Sequence, residues 1–262
     1  MTNKMLAIII AGIVVVGGGF AGYYYWQNYK PLKDVSLQDD SGTQQPITPS
    51  PEPQNTTAPT ASGTPPVANT TPKSEILNGC TRMFDTTKLK NDKVSIANRQ
   101  VEMNVKGFGK ITVEFYDKEA PKTVENFLRL TNAGYYDCLT FHRVAKGFVI
   151  QGGDPTGTGS GGESAFGGEF ADEVNANSDL YKTGYKKGVL AMANRGPNTN
   201  TSQFFIMLDD VQLPPAYTIF GKVIAGLDAV DKIGKVDITP QMGPTDGAPK
   251  TPVVMETVKI VK

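Results

Sequence analysis

The sequence predicts a mainly β domain, a closed eight-stranded antiparallel β-barrel capped by two helices, preceded by a transmembrane or signal helix and a disordered linker. Two observations support the prediction of a barrel. Short segments of alternating apolar and polar residues recur from residue 99 onward, and Gly- or Pro-rich loops separate them. Only two segments have the periodicity of an amphipathic helix.

A predicted β-hairpin begins the folded domain. Apolar residues alternate with polar ones over residues 101–105 and again over residues 111–115, and Gly107 and Gly109 lie between them. This alternation is typical of strands with one buried face, and the glycines indicate a turn.

The first predicted helix begins at Pro121, where the missing backbone N–H carries no cost, and ends before Gly134. Its apolar face carries Val124, Phe127, Leu128 and Thr131. The second helix covers residues 227–233. The remaining predicted strands cover residues 139–144, 148–151, 188–193, 203–207, 219–224 and 253–261.

Residues 1–29 predict a transmembrane anchor or a signal segment. No charged side chain occurs from Met5 to Tyr29, and Met5 to Trp26 would span about 33 Å as a helix at roughly 1.5 Å per residue. A cleaved signal peptide has a shorter apolar region, of roughly 7–15 residues, and remains the alternative. Lysines on both sides leave the orientation open.

Residues 30–73 form a linker rich in Pro, Thr and Ser, which predicts a disordered tether because it lacks large apolar residues to bury. Residues 74–97 are interpreted as an N-terminal extension that packs on the domain, with Cys80 as a possible attachment point. Residues 98–262 form the predicted barrel domain.

Charge and cysteine content exclude several functions. The chain has 26 basic and 26 acidic residues and no basic stripe, so a nucleic-acid partner is not expected. One His and two Cys are too few for a zinc site, and no metal is expected. Cys80 and Cys138 could form a disulfide in an oxidising compartment, or remain unpaired buried residues.

The most informative segment reads FHRVAKGFVIQGGD over residues 141–154. It places the guanidinium of Arg143 beside an apolar run that ends in Gln151, and it contains no nucleophile. Such a site can hold an apolar ring and direct several N–H donors at it, but it cannot perform Ser-His or Cys-His catalysis.

Four separated segments together resemble the cyclophilin family of peptidyl-prolyl cis-trans isomerases. They are the segment above, GVLAMAN at 188–194, GPNTNTSQFFI at 196–206 and FGKV at 220–223. The resemblance covers residues 99–262 and implies a monomeric domain that acts on proline-containing polypeptides without a cofactor.

The resemblance implies roles for individual residues. Arg143 would donate a hydrogen bond to the prolyl nitrogen, and Gln151 would polarise the side of the rotating carbonyl. Phe148, Val149, Phe205 and Leu213 would line the proline pocket, and Ala193, Asn194 and Gln203 would hold the peptide. His142 is interpreted as a structural residue or a hydrogen-bonding group at the pocket edge. As an alternative, Arg143 could form only a surface salt bridge.

Several positions depart from the family pattern. Leu213 stands where many cyclophilins have Trp, Tyr217 aligns with the usual His, and Val149 replaces a common Met. Activity is expected to survive, with weak binding of cyclosporin-type ligands. Arg195 stands where a small residue is common, and it would favour acidic substrate residues or only face the solvent.

Residues 157–162 match the pattern G-x-G-x-x-G of dinucleotide-binding loops. The next residues cannot open a helix, so the match is interpreted as a flexible surface loop beside the peptide groove.

The sequence thus predicts a prolyl isomerase that assists the folding of extracytoplasmic proteins, anchored to the membrane or secreted after signal cleavage. The alternative is a module that binds proline peptides and whose catalysis is incidental.

Overall fold

The computed structural model describes residues 73–91 and 93–262. The predicted anchor or signal at residues 1–29 and the linker up to residue 72 lie outside the described residues. Within the described part, no helix has both the length and the apolar character needed to cross a membrane.

Twelve strands and four helices make up the described part. The strands are β1 Lys73–Leu77, β2 Cys80–Phe84, β3 Gln100–Val105, β4 Gly109–Phe115, β5 Phe141–Ala145, β6 Val149–Gly152, β7 Val189–Met192, β8 Phe204–Met207, β9 Ile219–Ala225, β10 Ile238–Pro240, β11 Asp246–Pro249 and β12 Met255–Ile260. The helices are α1 Thr86–Asn91, α2 Pro121–Asn132, α3 Asp179–Thr183 and α4 Leu227–Ile233.

Ten strands form one antiparallel sheet in the order β10-β11-β5-β6-β8-β7-β9-β4-β3-β12. The mainly β architecture with few helices is confirmed, but the predicted closed eight-stranded barrel is not. The sheet has two more strands than predicted, and its ladder runs open from β10 to β12. In the described residues, the starts of β12 and β5 are joined by an isolated bridge, Thr140 to Val254, and by a few backbone hydrogen bonds such as Phe141 N–H to the Val253 carbonyl, but not by a strand ladder.

The sheet has an apolar cluster on each face. The larger cluster combines one face of β3, β4 and β12 with α2 and α4, and its largest side chains include Phe127, Phe141, Phe204 and Phe220. The second cluster lies on β5 to β9 and contains Val149, Phe205 and Ile219. Since side chains alternate between the faces of a strand, neighbouring residues such as Phe204 and Phe205 contribute to different clusters.

Helix α2 follows the sequence prediction closely. Pro121 occupies its first turn, and Val124, Phe127 and Leu128 are fully buried against the larger cluster. Gly134 follows with φ of +76°, and a Cβ there would lie 2.3 Å from the carbonyl oxygen of Met83. Glycine is therefore required both by the left-handed backbone and by the close approach of β2.

Strands β1 and β2 form a separate hairpin that packs on the domain. Cys80 and Cys138 form a disulfide with a Cα–Cα distance of 5.8 Å, which attaches β2 to the loop after α2. The guanidinium of Arg82 is buried, lies 5.0 Å from the ring centres of both Phe84 and Tyr135, and forms an ion pair with Glu75. The extension is thus held by a covalent bond and by an ion-paired cation that contacts two aromatic rings.

Candidate active site

The site is built on a row of side chains that crosses neighbouring strands. Arg143 on β5 is the register partner of Gln151 on β6, and Gln151 is the partner of Phe205 on β8. Directly opposed residues of antiparallel strands project on the same face of the sheet. Local strand pairing therefore brings together residues that are up to 62 positions apart in the sequence.

The Arg143 side chain is almost completely buried, with 6% of the residue exposed. Its Nε donates to Oδ1 of Asp246 at 2.8 Å, and its Nη2 donates to Oδ2 of the same carboxylate at 2.6 Å. Its Nη1 donates to Oε1 of Gln151 at 3.0 Å. A two-point contact of this kind orients the planar guanidinium and compensates its charge in a buried setting. The alternative that Arg143 forms only a surface salt bridge is therefore wrong, because the arginine of this pair is buried.

A chain of amide hydrogen bonds continues from Arg143 toward the glycine-rich loop, residues 157–162. Gln151 Nε2 donates to Oε1 of Gln203 at 2.9 Å, and Gln203 Nε2 donates to the carbonyl oxygens of Gly159 and Gly161. Each amide both accepts and donates, so its orientation is determined by its two neighbours.

Asp154 holds the same loop through hydrogen bonds to its backbone. Its carboxylate accepts hydrogen bonds from the backbone N–H groups of Thr156, Thr158, Gly159 and Gly161. Burial alone would raise the pKa of this carboxyl, but the hydrogen bonds from these groups lower it overall. Residues 157–162 form a surface loop as predicted, and several of its N–H groups and carbonyls have hydrogen-bond partners.

Apolar side chains near Arg143 form a cluster at the surface of the sheet. Val149, Ala193 and Phe205 are buried members of the second cluster, and Phe148, Leu213 and Tyr217 pack against them while partly exposed. The rings of Phe205 and Tyr217 meet edge to face with centres 5.6 Å apart. Burial raises the pKa of the Tyr217 hydroxyl, although the nearby Arg143 charge lowers it. The structure thus gathers the residues for which a pocket was predicted.

Asn194 lines the small cavity beside Ala193 and Gln203. Its side-chain Nδ2 donates to the carbonyl oxygen of Ala216 at 2.9 Å, so this amide links the segment after β7 to the segment before β9. The side chain of Asn194 thus has a structural hydrogen bond within the domain.

Arg195 is exposed, and its guanidinium forms an ion pair and a hydrogen bond to the backbone. Its Nη2 donates to Oε1 of Glu169 at 2.9 Å, and its Nη1 donates to the carbonyl oxygen of Ser160 at 3.1 Å. Glu169 therefore already compensates its charge. Arg195 lines a very small cavity, of about 10 Å³, together with Gly159, Ala193, Asn194 and Gln203.

His142 is buried, and neither ring nitrogen has a hydrogen-bond partner within the described residues. Burial lowers the pKa of the imidazole to about 4, with Asp154 acting in the opposite direction. The ring is therefore neutral near pH 7. His142 lies next to Gly159 of the glycine-rich loop and lines neither cavity beside the site, so its position fits the structural alternative of the prediction.

Asp246 was missed by the sequence reasoning. It lies 103 residues after Arg143, at the start of a four-residue strand with sequence DGAP. No local pattern marks this strand, because Gly and Pro are uncommon in strand interiors. A buried arginine generally needs an acidic partner, but nothing in the sequence indicated which Asp or Glu would be the partner of Arg143.

Comparison with known proteins decides the family. A sequence profile described as cyclophilin type peptidyl-prolyl cis-trans isomerase/CLD matches residues 100–260. The chain belongs to the cyclophilin family. Among its relatives, the peptidyl-prolyl cis-trans isomerase CYP18-2 of Arabidopsis thaliana is 52% identical over 129 residues, covering 49% of this chain and 76% of the relative. Peptidyl-prolyl cis-trans isomerase-like 1 of Homo sapiens is 50% identical over 139 residues, covering 53% of this chain and 81% of the relative.

Solved structures agree with this assignment. A cyclophilin-type isomerase of Cryptosporidium parvum matches with a TM-score of 0.56 and 36% identity, covering 63% of this chain and 98% of that one. A second structure, determined in the presence of the dipeptide Ala-Pro, matches with a TM-score of 0.55, 36% identity and coverage of 62% and 99%. The chain is therefore a cyclophilin-type peptidyl-prolyl cis-trans isomerase.

Proposed function

We propose that Arg143 catalyses rotation about Xaa-Pro bonds by donating a hydrogen bond to the prolyl nitrogen, while the proline ring lies against Phe148, Val149 and Phe205. The observation that carries the proposal is the fixed guanidinium of Arg143, held by Asp246 and Gln151 at the edge of an apolar wall.

The chemistry explains why such a site needs no nucleophile. Amide resonance opposes rotation of the peptide bond by roughly 18–20 kcal/mol. In the twisted transition state this resonance is lost, and the nitrogen becomes a better hydrogen-bond acceptor. A donor placed there therefore stabilises the transition state more than the ground state.

The free energy of a single hydrogen bond is too small to account for the full rate enhancement, so Arg143 does not act alone. A charge-assisted hydrogen bond contributes about 1.5–3 kcal/mol, whereas a ten-thousandfold rate enhancement requires about 5.5 kcal/mol. We assign the remainder to the pocket, which grips the ring away from water, and to Gln151, whose amide lies beside the rotating carbonyl. Ala193, Asn194 and Gln203 hold the preceding part of the peptide.

Absence of proton transfer gives a test of the mechanism. The rate of exchange of a blocked Ala-Pro peptide, measured by NMR with the purified full-length chain, should change less than twofold between H₂O and D₂O. It should also be constant between about pH 6 and 9. A large solvent isotope effect, or a rate that follows a titrating group in this range, would show that a proton moves in the limiting step.

We further propose that the enzyme acts outside the cytoplasm, anchored by residues 1–29 and separated from the membrane by the linker. The uncharged apolar run supports the anchor, and the Cys80–Cys138 disulfide supports an oxidising compartment. Its substrates would then be proline-containing chains that fold after export.

The cellular proposal is tested by fractionation of the source cells. The full-length chain should remain in the membrane fraction after carbonate washing, and a variant that lacks residues 1–29 should not. A protease added outside the cytoplasmic membrane should remove the isomerase domain. Recovery of the full-length chain in the soluble cytoplasmic fraction, with both cysteines open to alkylation, would contradict the proposal.

A further inference from the structure

The segment between β8 and β9 carries two side chains of the apolar cluster near Arg143, namely Leu213 and Tyr217. Residues 213–217 belong to no helix or strand of the described part. Two of them, Pro214 and Pro215, are exposed and have no backbone N–H to donate. Since no ladder holds this stretch, the position of Tyr217 depends on hydrogen bonds from neighbouring parts of the domain.

Tyr185 contacts this segment at both of its ends. The N–H of Val211 donates to the Tyr185 carbonyl oxygen at 3.1 Å, which makes an isolated bridge between the two residues. The Tyr185 hydroxyl donates to the carbonyl oxygen of Tyr217 at 2.9 Å and accepts from the Tyr217 N–H at 3.2 Å. The Tyr185 residue is only 2% exposed. A single buried residue thus closes the loop from residue 211 to residue 217.

Tyr181 on α3 holds the same stretch of backbone from a second side. Its hydroxyl donates to the carbonyl oxygens of Tyr217 and Glu173, each at 3.2 Å, and accepts from the N–H of Ile219 at 2.9 Å. Burial raises the pKa of Tyr181 to about 12, and burial also raises the pKa of Tyr185. Both hydroxyls therefore keep their protons near neutral pH and can donate.

The ring of Tyr217 is the element that these bonds place beside the proposed substrate. It meets the ring of Phe205 edge to face with centres 5.6 Å apart, and the proline ring is proposed to lie against Phe205. A shift of the Tyr217 backbone would therefore change the space left for that ring. Within the described residues, the side-chain bonds of Arg143 go to Asp246 and Gln151 and not to either tyrosine.

We propose that Tyr181 and Tyr185 are positioning residues, which hold Tyr217 so that the pocket fits the five-membered ring of proline and rejects a larger ring. The inference rests on the proposed placement of the proline ring against Phe205. The two hydroxyls act on the shape of the pocket, whereas Asp246 and Gln151 act on the orientation of Arg143. Loss of a tyrosine hydroxyl therefore reduces selectivity for the ring and leaves the rate of the bound peptide unchanged.

The experiment uses the full-length chain and two blocked peptides, Ala-Ala-Pro-Ala and its analogue with pipecolic acid, the six-membered homologue of proline. NMR titration gives both dissociation constants, and NMR exchange gives the rate of the saturated proline peptide. The wild type should bind the proline peptide at least about tenfold more tightly, since one extra methylene in a fitted apolar pocket changes discrimination by about 10- to 200-fold. In Tyr185→Phe this ratio should fall at least threefold, with the saturated rate within twofold.

Tyr181→Phe is a second variant that leaves both contacts of Tyr185 in place, and its ratio should also fall. Tyr116→Phe is the matched control, because Tyr116 packs against the same cluster but does not hold the backbone of Tyr217. Its ratio should equal that of the wild type. The amide hydrogen of Tyr217 should exchange with solvent at least about tenfold faster in Tyr185→Phe than in Tyr116→Phe, because only the first change removes its acceptor.

Equal affinity of the wild type for the two peptides would overturn the proposal. So would a ratio that both Tyr185→Phe and Tyr181→Phe leave intact, or a fall of the same size in Tyr116→Phe. Failure of the proposed mechanism would give a different result. In that case Arg143→Ala would leave the saturated rate unchanged, while the loss of ring selectivity in Tyr185→Phe, measured by binding alone, would still support the positioning role.

Discussion

Arg143 and Asp246 contact each other at two points, with Nε to Oδ1 at 2.8 Å and Nη2 to Oδ2 at 2.6 Å. The pair joins β5 to the short strand β11. The two strands also pair in register, Asp246 with Ala145 and Gly247 with Val144. The contact uses the edge of the guanidinium that faces away from Gln151. Asp246 is thus placed to determine how the catalytic arginine is oriented and how its charge is balanced.

Replacing Asp246 by Asn should lower kcat/KM for an Ala-Pro peptide by roughly 10- to 100-fold. An amide retains one acceptor oxygen, but its NH₂ group would face a guanidinium that can only donate, so one charge-assisted bond of about 1.5–3 kcal/mol is lost. NMR exchange measures the rate, and thermal unfolding reports whether the fold persists. Asp209→Asn, at an exposed aspartate, is the control. A fully active and stable Asp246→Asn would contradict the positioning role.

Glu169 should determine whether Arg195 senses acidic substrates. Because Arg195 already donates to Glu169, we expect the wild type to isomerise Glu-Pro and Gln-Pro peptides at rates within a factor of two of each other. In Glu169→Gln the arginine charge is no longer compensated, and the Glu-Pro peptide should gain up to about fivefold, the limit for an exposed ion pair of 0.2–1 kcal/mol. Paired kcat/KM measurements test this, with Glu119→Gln at another exposed position as control. A strong wild-type preference for Glu-Pro would show that Arg195 attracts acidic substrate residues despite its ion pair with Glu169.

Acid should destabilise the domain through His142. Burial lowers its folded-state pKa to about 4, whereas the unfolded imidazole keeps its ordinary value of 6.5. The unfolded chain therefore binds more protons between these values, and stability falls as the pH drops from about 6.5 to 4. From this group alone, the free energy of unfolding should be about 2 kcal/mol lower at pH 5 than at pH 7.

Since His142 is the single histidine of the chain, urea unfolding of His142→Gln isolates its contribution. The variant should lose most of the difference between pH 7 and pH 5. An NMR titration should show no protonation of the imidazole above about pH 5 in the folded protein. An imidazole that titrates near 6.5, or an unchanged pH dependence in the variant, would contradict the burial argument.

Reduction of the Cys80–Cys138 disulfide should destabilise the domain without abolishing its activity. The bond joins residues 58 positions apart and holds the β1–β2 hairpin, and a crosslink over such a distance contributes typically 2–4 kcal/mol. We expect the melting temperature to fall by roughly 5–15 °C in reductant, with kcat/KM at 25 °C within twofold. Cys80→Ser should behave like the reduced wild type and no longer respond to reductant. A reductant response retained in Cys80→Ser would assign the effect to another cause.

Much of the fold could be predicted because its signals are local. The helix predicted at residues 227–233 coincides with α4, and the strands of the catalytic segment differ by only one or two residues from β5 and β6. The last strand was predicted to begin at residue 253. It begins at Met255, because Val253 accepts a hydrogen bond from Phe141 instead of joining the ladder of β3.

What could not be predicted depends on pairing between distant segments. Strands β10 and β11 have three and four residues, too few for a period to be recognised, and β11 supplies Asp246. Whether a row of alternating strands closes into a barrel depends on the register at its two edges, which alternation alone does not contain. The bonding of Arg195 to Glu169 and the burial of the His142 ring likewise depend on tertiary neighbours.

The central claim is that Arg143 stabilises the rotating bond more than the bound peptide. The most direct test measures two quantities for Arg143→Ala and for Lys118→Ala, an exposed cation away from the site. They are the exchange rate of an enzyme-saturated Ala-Pro peptide and its dissociation constant, both from NMR. The account predicts that in Arg143→Ala the bound peptide exchanges at least about tenfold more slowly, while its dissociation constant changes less than threefold. An unchanged exchange rate in the saturated complex, with any loss confined to affinity, would contradict it.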